Sequence, residues 1–504
     1  MGNRGTRKGA LAPKVAAALV ASVLATLFVG VSWGASYSPV TDPYSMASTT
    51  LETGAQAWWN AGYTGAGVDV ALIDSGVAPV SALSTPGKVV NGPDISLDSQ
   101  APTLRYLDAY GHGTFMAGLI AGNDSSYRGM APDARLVSLK VGAADGAVDV
   151  SQVIAAIDWV VQHAHDPGFN IRVINLSYGT NSLQDPASDP LAYAAEQAWK
   201  HGILVVAAGG NYGFQSQRNA PALADPAYDS SLLAVGSIDT MGTLAPFDDQ
   251  VPSFSPWPKR GATRGVDLDA PGVHLQGLRV PNSFIDVNHP EGYLDDLYFR
   301  GSGTSESAAL VSGAAALILQ KFPNATPDQV KQLLTNSATY LPGQKSQAQG
   351  DGELNLTAAL TMSLPSAGSA NFDDKGNGSL EQARGSDHLV APDGSVLTGE
   401  QDIFGKPFDS SAMAALEASA SSWSGGTWNA SSWSGSGWSG LNWLASSWSA
   451  SSWSASSWSA NSWSANSWSA NSWSASSWSA SSWSGSSWSG SGWSGDGWQG
   501  ATWG

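Results

Sequence analysis

The chain has 504 residues, 42% of them apolar, a formal charge of −18 and no cysteine. So acidic a chain offers no electrostatic footing for nucleic acid, and without thiols it has neither disulfides nor a thiolate nucleophile or metal ligand. Its length and apolar content suffice for more than one domain and a sizeable core.

Arg4, Arg7, Lys8 and Lys14 precede an apolar run from Val15 to Val31, followed by the small residues Ser32, Gly34 and Ala35. This order predicts a secretory signal over residues 1–35, with an uncleaved amino-terminal anchor as the alternative. Either reading places the protein outside the cell, secreted or held at the surface. The stretch Ser36–Ser48 that follows has no room for a further folded segment, so either the domain after it folds unaided or control of its activity lies elsewhere.

Residues 67–73 form an apolar run that closes in Asp74-Ser75-Gly76, which reads as a buried strand with an aspartate at its carboxyl end. Catalytic groups of open α/β sheets gather at that edge, although an aspartate there is more commonly a turn former. Gly111-His112-Gly113-Thr114 leads into a small, apolar helix, and a histidine at such a helix mouth suits proton transfer near neutral pH. Further strands are predicted at 136–141, 171–176 and 203–208, and helices at 150–163 and 191–200. The alternation implies an α/β fold, a mostly parallel sheet covered on both faces.

Two strand ends look chemical. Ser177-Tyr178-Gly179 is an edge with which an extended peptide can pair. Ala208-Gly209-Gly210-Asn211 places an asparagine amide after small residues, where it can reach a developing oxyanion, a role worth about 3 kcal/mol; a turn asparagine with Gly210 and Gly213 is the alternative. Gly301 to Ser307 then makes a tight turn before a long apolar helix, which presents Ser305 at a helix amino terminus either as a nucleophile or as an ordinary N-cap.

The ordered set Asp74-Ser75-Gly76, Gly111-His112-Gly113-Thr114, Asn211 after Ala-Gly-Gly, and Gly303-Thr304-Ser305 resembles the subtilisin-like serine peptidases. Gly129-Met130-Ala131-Pro132, Leu268-Asp269-Ala270-Pro271-Gly272 and a helix over 323–338 extend the resemblance across roughly 50–362. It implies the family's three-layer sandwich over residues 45–364 and a triad of Asp74, His112 and Ser305. Asn211 and the Ser305 amide would form the oxyanion hole. Ser177, Tyr178, Gly179, Ala208, Gly209 and Gly210 would flank a protein or peptide substrate, with room for a bulky apolar side chain. No cofactor is required by such chemistry. Structural calcium is compatible with the family, but the compact loop 123–128, whose one carboxylate is Asp124, is too poor in ligands to hold it.

Glu306-Ser307-Ala308-Ala309 replaces the family's usual Met-Ala-x-Pro after the nucleophile. Glu306 is read either as a solvated first-turn glutamate or as a carboxylate near the reaction centre. Residues 273–299 read as an inserted surface loop beside the cleft.

From about Pro365 the composition shifts to Gly, Ser, Asp and Asn, a linker with short docking elements over 365–422. Tryptophan then recurs every fifth residue from Trp423 to Trp503, 17 times, and fixed periodicity marks an array. Disorder, stacked short strands and a solenoid all remain open for this low-complexity repeat region. Adhesion to cell-wall or other glycans and self-association are the functions its rings suggest. A surface adhesion protein with a vestigial peptidase domain is the alternative to a secreted endopeptidase.

Overall fold

The computed structural model describes residues 37–432, except 215–221, 259–263, 367, 369–372, 391–393 and 425. Beyond 432 it describes strand segments between 448 and 500. The expected signal over 1–35 lies outside the described residues. Residues 1–38 form a unit of their own, of which only Tyr37 and Ser38 are described. No helix among the described residues is long and apolar enough to cross a membrane.

Seven parallel strands form the central sheet: β1 (Asp69–Asp74), β2 (Val89–Asp94), β3 (Arg135–Lys140), β4 (Ile171–Leu176), β5 (Leu204–Ala208), β6 (Leu233–Ile238) and β7 (Leu268–Pro271). Their order is β2-β3-β1-β4-β5-β6-β7. β1, β5, β6 and β7 are buried at every position, because a sheet covered on both faces has no solvent side to alternate toward. The helices α1 (Met46–Glu52) and α2 (Ala55–Asn60) precede the sheet. Next come α3 (His112–Ala121), α4 (Val150–His163), α5 (Pro190–Lys200), α6 (Phe284–Asn288), α7 (Thr304–Lys321), α8 (Pro327–Ser337), α9 (Ser346–Gln349) and α10 (Leu356–Thr361). α3 packs on α7, which runs along β4 to β7, whereas α4 packs on α5. The chain fills the sheet leftward through β2 and β3, then rightward from β4. The reversal falls beside β1, where crevices open at strand carboxyl ends.

The strands β2, β6 and β7 escape the sequence reading, since Val89-Val90-Asn91-Gly92-Pro93-Asp94 and Leu268-Asp269-Ala270-Pro271 carry turn formers inside pairing segments. The segment 273–299 is more than a surface loop. β8 (Leu275–Leu278) pairs antiparallel with β9 (Tyr298–Gly301), and Leu275, Leu278, Tyr298 and Phe299 are buried.

After α10 the chain returns to the peptidase unit. α11 (Leu380–Ala383) and α12 (Ser410–Ala418) dock on α4 and α5, and Leu380, Leu389, Leu397, Ile403, Phe408 and Met413 are buried. Arg384 and Asp149, both fully buried, pair at 2.6 Å. The structure places the first two array tryptophans with this unit. The Trp423 indole donates to the Ala155 carbonyl at 2.8 Å and that of fully buried Trp428 to Asp158 Oδ2 at 2.7 Å. They lie in a small antiparallel sheet of β10 (Trp423–Ser424), β11 (Thr427–Trp428) and β12 (Ser431–Ser432).

Farther on, the backbone forms β13 (Trp448–Ala455), β14 (Trp458–Ala465), β15 (Trp468–Ala475), β16 (Trp478–Gly485), β17 (Trp488–Gly490), β18 (Trp493–Gly495) and β19 (Trp498–Gly500). Pairing is parallel between partners four pentads apart, such as Trp448 with Trp468 and Trp458 with Trp478. Like positions of the repeat are thereby paired in register, tryptophan position with tryptophan position.

Candidate active site

Asp74 ends β1, opposite Lys140 at the end of β3. The fully buried Lys140 ammonium donates to the carbonyls of Ser75 and Leu107 at 2.9 and 2.8 Å and pairs with Asp98 at 3.0 Å. The strand end is thereby clamped to the loop that leads into α3. Asp108 holds the other side. Its Oδ1 accepts from the Gly111 amide and the Ser75 hydroxyl at 2.7 and 2.8 Å, and its Oδ2 from the Thr114 amide and hydroxyl, both at 2.7 Å. A carboxylate on the orphan amides of a first helical turn is a strong cap.

Gly113 decides how closely α3 approaches β1. A Cβ there would lie 2.2 Å from the Gly76 carbonyl oxygen and 3.2 Å from Asp74 Oδ1. With only a hydrogen in that place, His112 Nδ1 reaches Asp74 Oδ1 at 2.8 Å and Oδ2 at 2.9 Å. Both neighbours are acceptors, so Nδ1 carries the proton and Nε2 is left basic.

Ser305 sits in the first turn of α7, half-buried, and its hydroxyl donates to the Ser177 carbonyl at 3.4 Å. The Ser177 hydroxyl donates back to the Ser305 carbonyl at 3.1 Å. Behind it the Asn175 amide donates to Ser177 Oγ at 3.0 Å, and the Ser312 hydroxyl donates to Asn175 Oδ1 at 2.9 Å. Ser307 donates to the Ala270 carbonyl at 2.9 Å and ties the same turn to β7. Asn211 accepts through Oδ1 from the Thr304 amide at 3.0 Å and hydroxyl at 3.1 Å. With its oxygen so engaged, both N–H groups of this exposed side chain are left to donate elsewhere.

Ser177 to Gly179 follow β4, and Ala208 to Gly210 end and follow β5, with Gly210 turning the chain at a φ of 101°; only Ala208 lies within a hydrogen-bonded strand. Ala224 approaches both segments. A Cβ on Gly179 would come within 2.7 Å of its methyl, and one on Gly210 within 3.1 Å. The side chain of Tyr178 is pushed well above its ordinary pKa by burial and by neighbouring carboxylates, beginning with Asp149.

Glu306 is buried. It lines a pocket beside His112 together with Phe115, Met116, Leu278 and Phe299. The walls from β8 and β9 come from the segment that sequence alone assigns to a surface loop. Burial raises the Glu306 pKa, offset by the facing His112 and a backbone N–H and reinforced by Asp74. For His112, burial disfavours the imidazolium, but Asp74, then Glu306 and Asp108, outweigh it and push the pKa from 6.5 to about 9. Of the residues in this assembly, Asp108 and Lys140 escape the sequence reading. Asp108 had a signal in its spacing, three residues before Gly111; Lys140 had none, since a lysine ending a strand is ordinarily solvated. In the 123–128 loop, Asp124 Oδ1 accepts from the amides of Ser126 and Tyr127, both at 2.8 Å.

An aspartate closing a strand, its imidazole partner at a helix start and a serine in the first turn of another helix, all on a parallel α/β sheet, are the parts of a serine-type endopeptidase. Residues 65–355 match the subtilase family, and the chain belongs to it. The serine protease AprX of Bacillus subtilis (strain 168) is 36% identical over 303 residues, a match covering 58% of this chain and 66% of that protein, just under two thirds. Subtilisin DY of Bacillus licheniformis is 33% identical over 302 residues, covering 59% of this chain and 92% of the relative. A solved structure, of a cold adapted subtilisin-like serine proteinase, aligns at 30% identity with a TM-score of 0.45, over 58% of this chain and 90% of that one.

Proposed function

We propose that the protein is a secreted endopeptidase that hydrolyses peptide bonds through Ser305, His112 and Asp74, by way of an acyl-enzyme. Ser305 Oγ attacks the scissile carbonyl as His112 Nε2 takes its proton. His112 then protonates the leaving amine, and a water repeats the sequence to release the acyl group. Asp74 keeps the proton on Nδ1 and stabilises the imidazolium. The Asn211 amide and the Ser305 N–H receive the oxyanion. The observation that carries this reading is the double contact of His112 Nδ1 with Asp74 at 2.8 and 2.9 Å. The Ser305 hydroxyl rests on the Ser177 carbonyl, and free enzymes commonly tighten the serine–histidine contact only with substrate bound.

The experiment is labelling of the purified chain by a fluorophosphonate, with casein cleavage followed alongside and Ser305→Ala as control. Labelling and cleavage that both vanish in the variant support the triad. A well-folded sample that neither labels nor cleaves refutes it and brings forward an adhesion protein with a silent peptidase domain.

Substrate is read as an extended segment lying between Ser177–Gly179 and Ala208–Gly210, with an apolar side chain preferred before the scissile bond. The support is the Ala224 methyl between the two segments and the absence of any charged side chain from them. Cleavage sites in a peptide library that favour basic or small residues there would overturn the preference. Export rests on the amino-terminal order of basic, apolar and small residues. For the tail we read adhesion to glycan or to other copies; retention on insoluble polysaccharide, and oligomer size, of the full chain against one ending at residue 432 would test it.

A further inference from the structure

The pocket beside His112 is walled by α3, β8, β9 and the chain between the two strands, and it shares no residue with the segments 177–179 and 208–210. It holds about 410 Å³ of space, open at its mouth. Phe115, Met116, Leu278, Val280, Ile285 and Phe299 make most of its lining apolar. Of its charged residues, Arg279 and Asp286 bind each other at 2.6 and 2.8 Å, and Arg300 pairs with Asp42 at 2.9 Å. Glu306 differs from these. It is only 7% exposed, and among the described residues no lysine or arginine pairs with it. The charge it faces is that of His112, which comes and goes with a proton.

Space is kept open beside this carboxylate. A Cβ on Gly301 would lie 2.5 Å from Glu306 Oε1 and 2.7 Å from Phe115 Cζ. Gly301 has no positive φ, so its glycine serves space and not backbone conformation. A buried carboxylate without a fixed counter-charge is costly, whereas one that meets a cation among apolar walls binds it strongly.

We propose that this pocket receives the side chain that follows the scissile bond, and that Glu306 selects lysine or arginine there. The inference rests on the peptidase reading. The acyl half of the substrate lies along 177–179 and 208–210, and His112 gives its proton to the leaving amine, so the residue bearing that amine is the one brought to the pocket. Long basic side chains suit it twice over. Their methylene stems cover apolar walls while the head keeps a polar partner, and aromatic neighbours such as Phe115 and Phe299 favour a cation further. The head also offsets the burial that raises the Glu306 pKa, so the pair is ionised in the complex. An acidic side chain in the same place meets a like charge. A leucine buries its methyls but leaves Glu306 without a partner.

The test compares fluorogenic peptides, at pH 8 and with the full chain, that differ only in the residue after the cleaved bond: leucine, lysine, arginine or glutamate. Ratios of kcat/KM are taken within each variant, so that any change in His112 basicity cancels. Lysine and arginine should exceed leucine about tenfold, and glutamate should fall below it by a similar factor. In Glu306→Gln the lysine-to-leucine ratio should drop to within about twofold of unity. Glu306→Asp, which keeps the charge on a shorter stem, should retain part of the preference. Binding is followed separately in Ser305→Ala, by calorimetry with peptides whose free amino-terminal residue is lysine or leucine and which stand for the leaving half of the substrate. The lysine peptide should bind about ten times more tightly, and the difference should vanish when Glu306→Gln is added. Equal ratios in the parent chain, or a lysine preference that survives Glu306→Gln, overturns the assignment. A chain that cleaves none of the peptides yet keeps the binding difference overturns the catalytic reading and supports the selectivity of the pocket. One that neither cleaves nor discriminates overturns both.

Discussion

Replacing Glu306 by glutamine removes a negative charge beside His112 while keeping the side chain's shape. As the proposed base His112 must be neutral, and with a pKa pushed up to about 9 roughly 1% of the free enzyme is in that form at pH 7. The acid limb of kcat/KM should therefore rise tenfold per pH unit and flatten near pH 9. A neighbouring charge moves a pKa by about 1–3 units. His112 is a quarter exposed, so solvent screening argues for the lower end, about one unit. In Glu306→Gln the limb should shift about one unit to the acid side, raising kcat/KM at pH 7 about tenfold and leaving the plateau above pH 9 unchanged. The sign also governs stability. The raised His112 pKa contributes stability that is fully present below 6.5 and is lost as pH rises through about 9. Glu306→Gln should move the upper end of that loss downward. The assay is a pH–rate profile on a peptide chromophore, with histidine titration by NMR in the Ser305→Ala background. A limb that stays put would mean that Glu306 is itself protonated in the free enzyme, as its burial favours, and exerts no field.

Asn211→Ala should lower kcat about 10²–10³-fold with little change in KM, since the proposed oxyanion contact forms only as charge develops in the transition state. Gly113→Ala drives a methyl against the Gly76 carbonyl and should cost about 1–3 kcal/mol in urea unfolding along with most of the activity. Arg384→Met leaves Asp149 buried without its counter-ion; a loss of about 3–5 kcal/mol is expected, and a change within 1 kcal/mol would show that the pair adds nothing. Trp428→Ala removes a fully buried ring and the partner of Asp158, with an expected cost of about 3–5 kcal/mol.

The sequence by itself determined much of this protein. The buried strands are continuous apolar runs and the helices have clear periodicity, so the alternation of β1, α4, β4, α5 and β5 is local information. The Asp-Ser-Gly, Gly-His-Gly-Thr and Gly-Thr-Ser motifs are contiguous, and Gly76 and Gly111 take positive φ in their own turns, so a serine peptidase could be named before the residues were brought together.

Tertiary structure decided the rest, because each remaining fact depends on residues far apart in the chain. Glu306 is solvated or buried according to what covers the first turn of α7, and the cover comes from β8 and β9 and their surroundings. Val89–Asp94 becomes a strand only because β3 offers it a partner. Lys140 is a buried clamp only because β3 ends beside Asp74. Trp428 looks like any other member of the array until Asp158, 270 residues earlier, accepts its indole. The pocket that Phe115, Leu278 and Phe299 wall beside Glu306 carries no common pattern, since burial and convergence are properties of the folded chain and not of any segment within it.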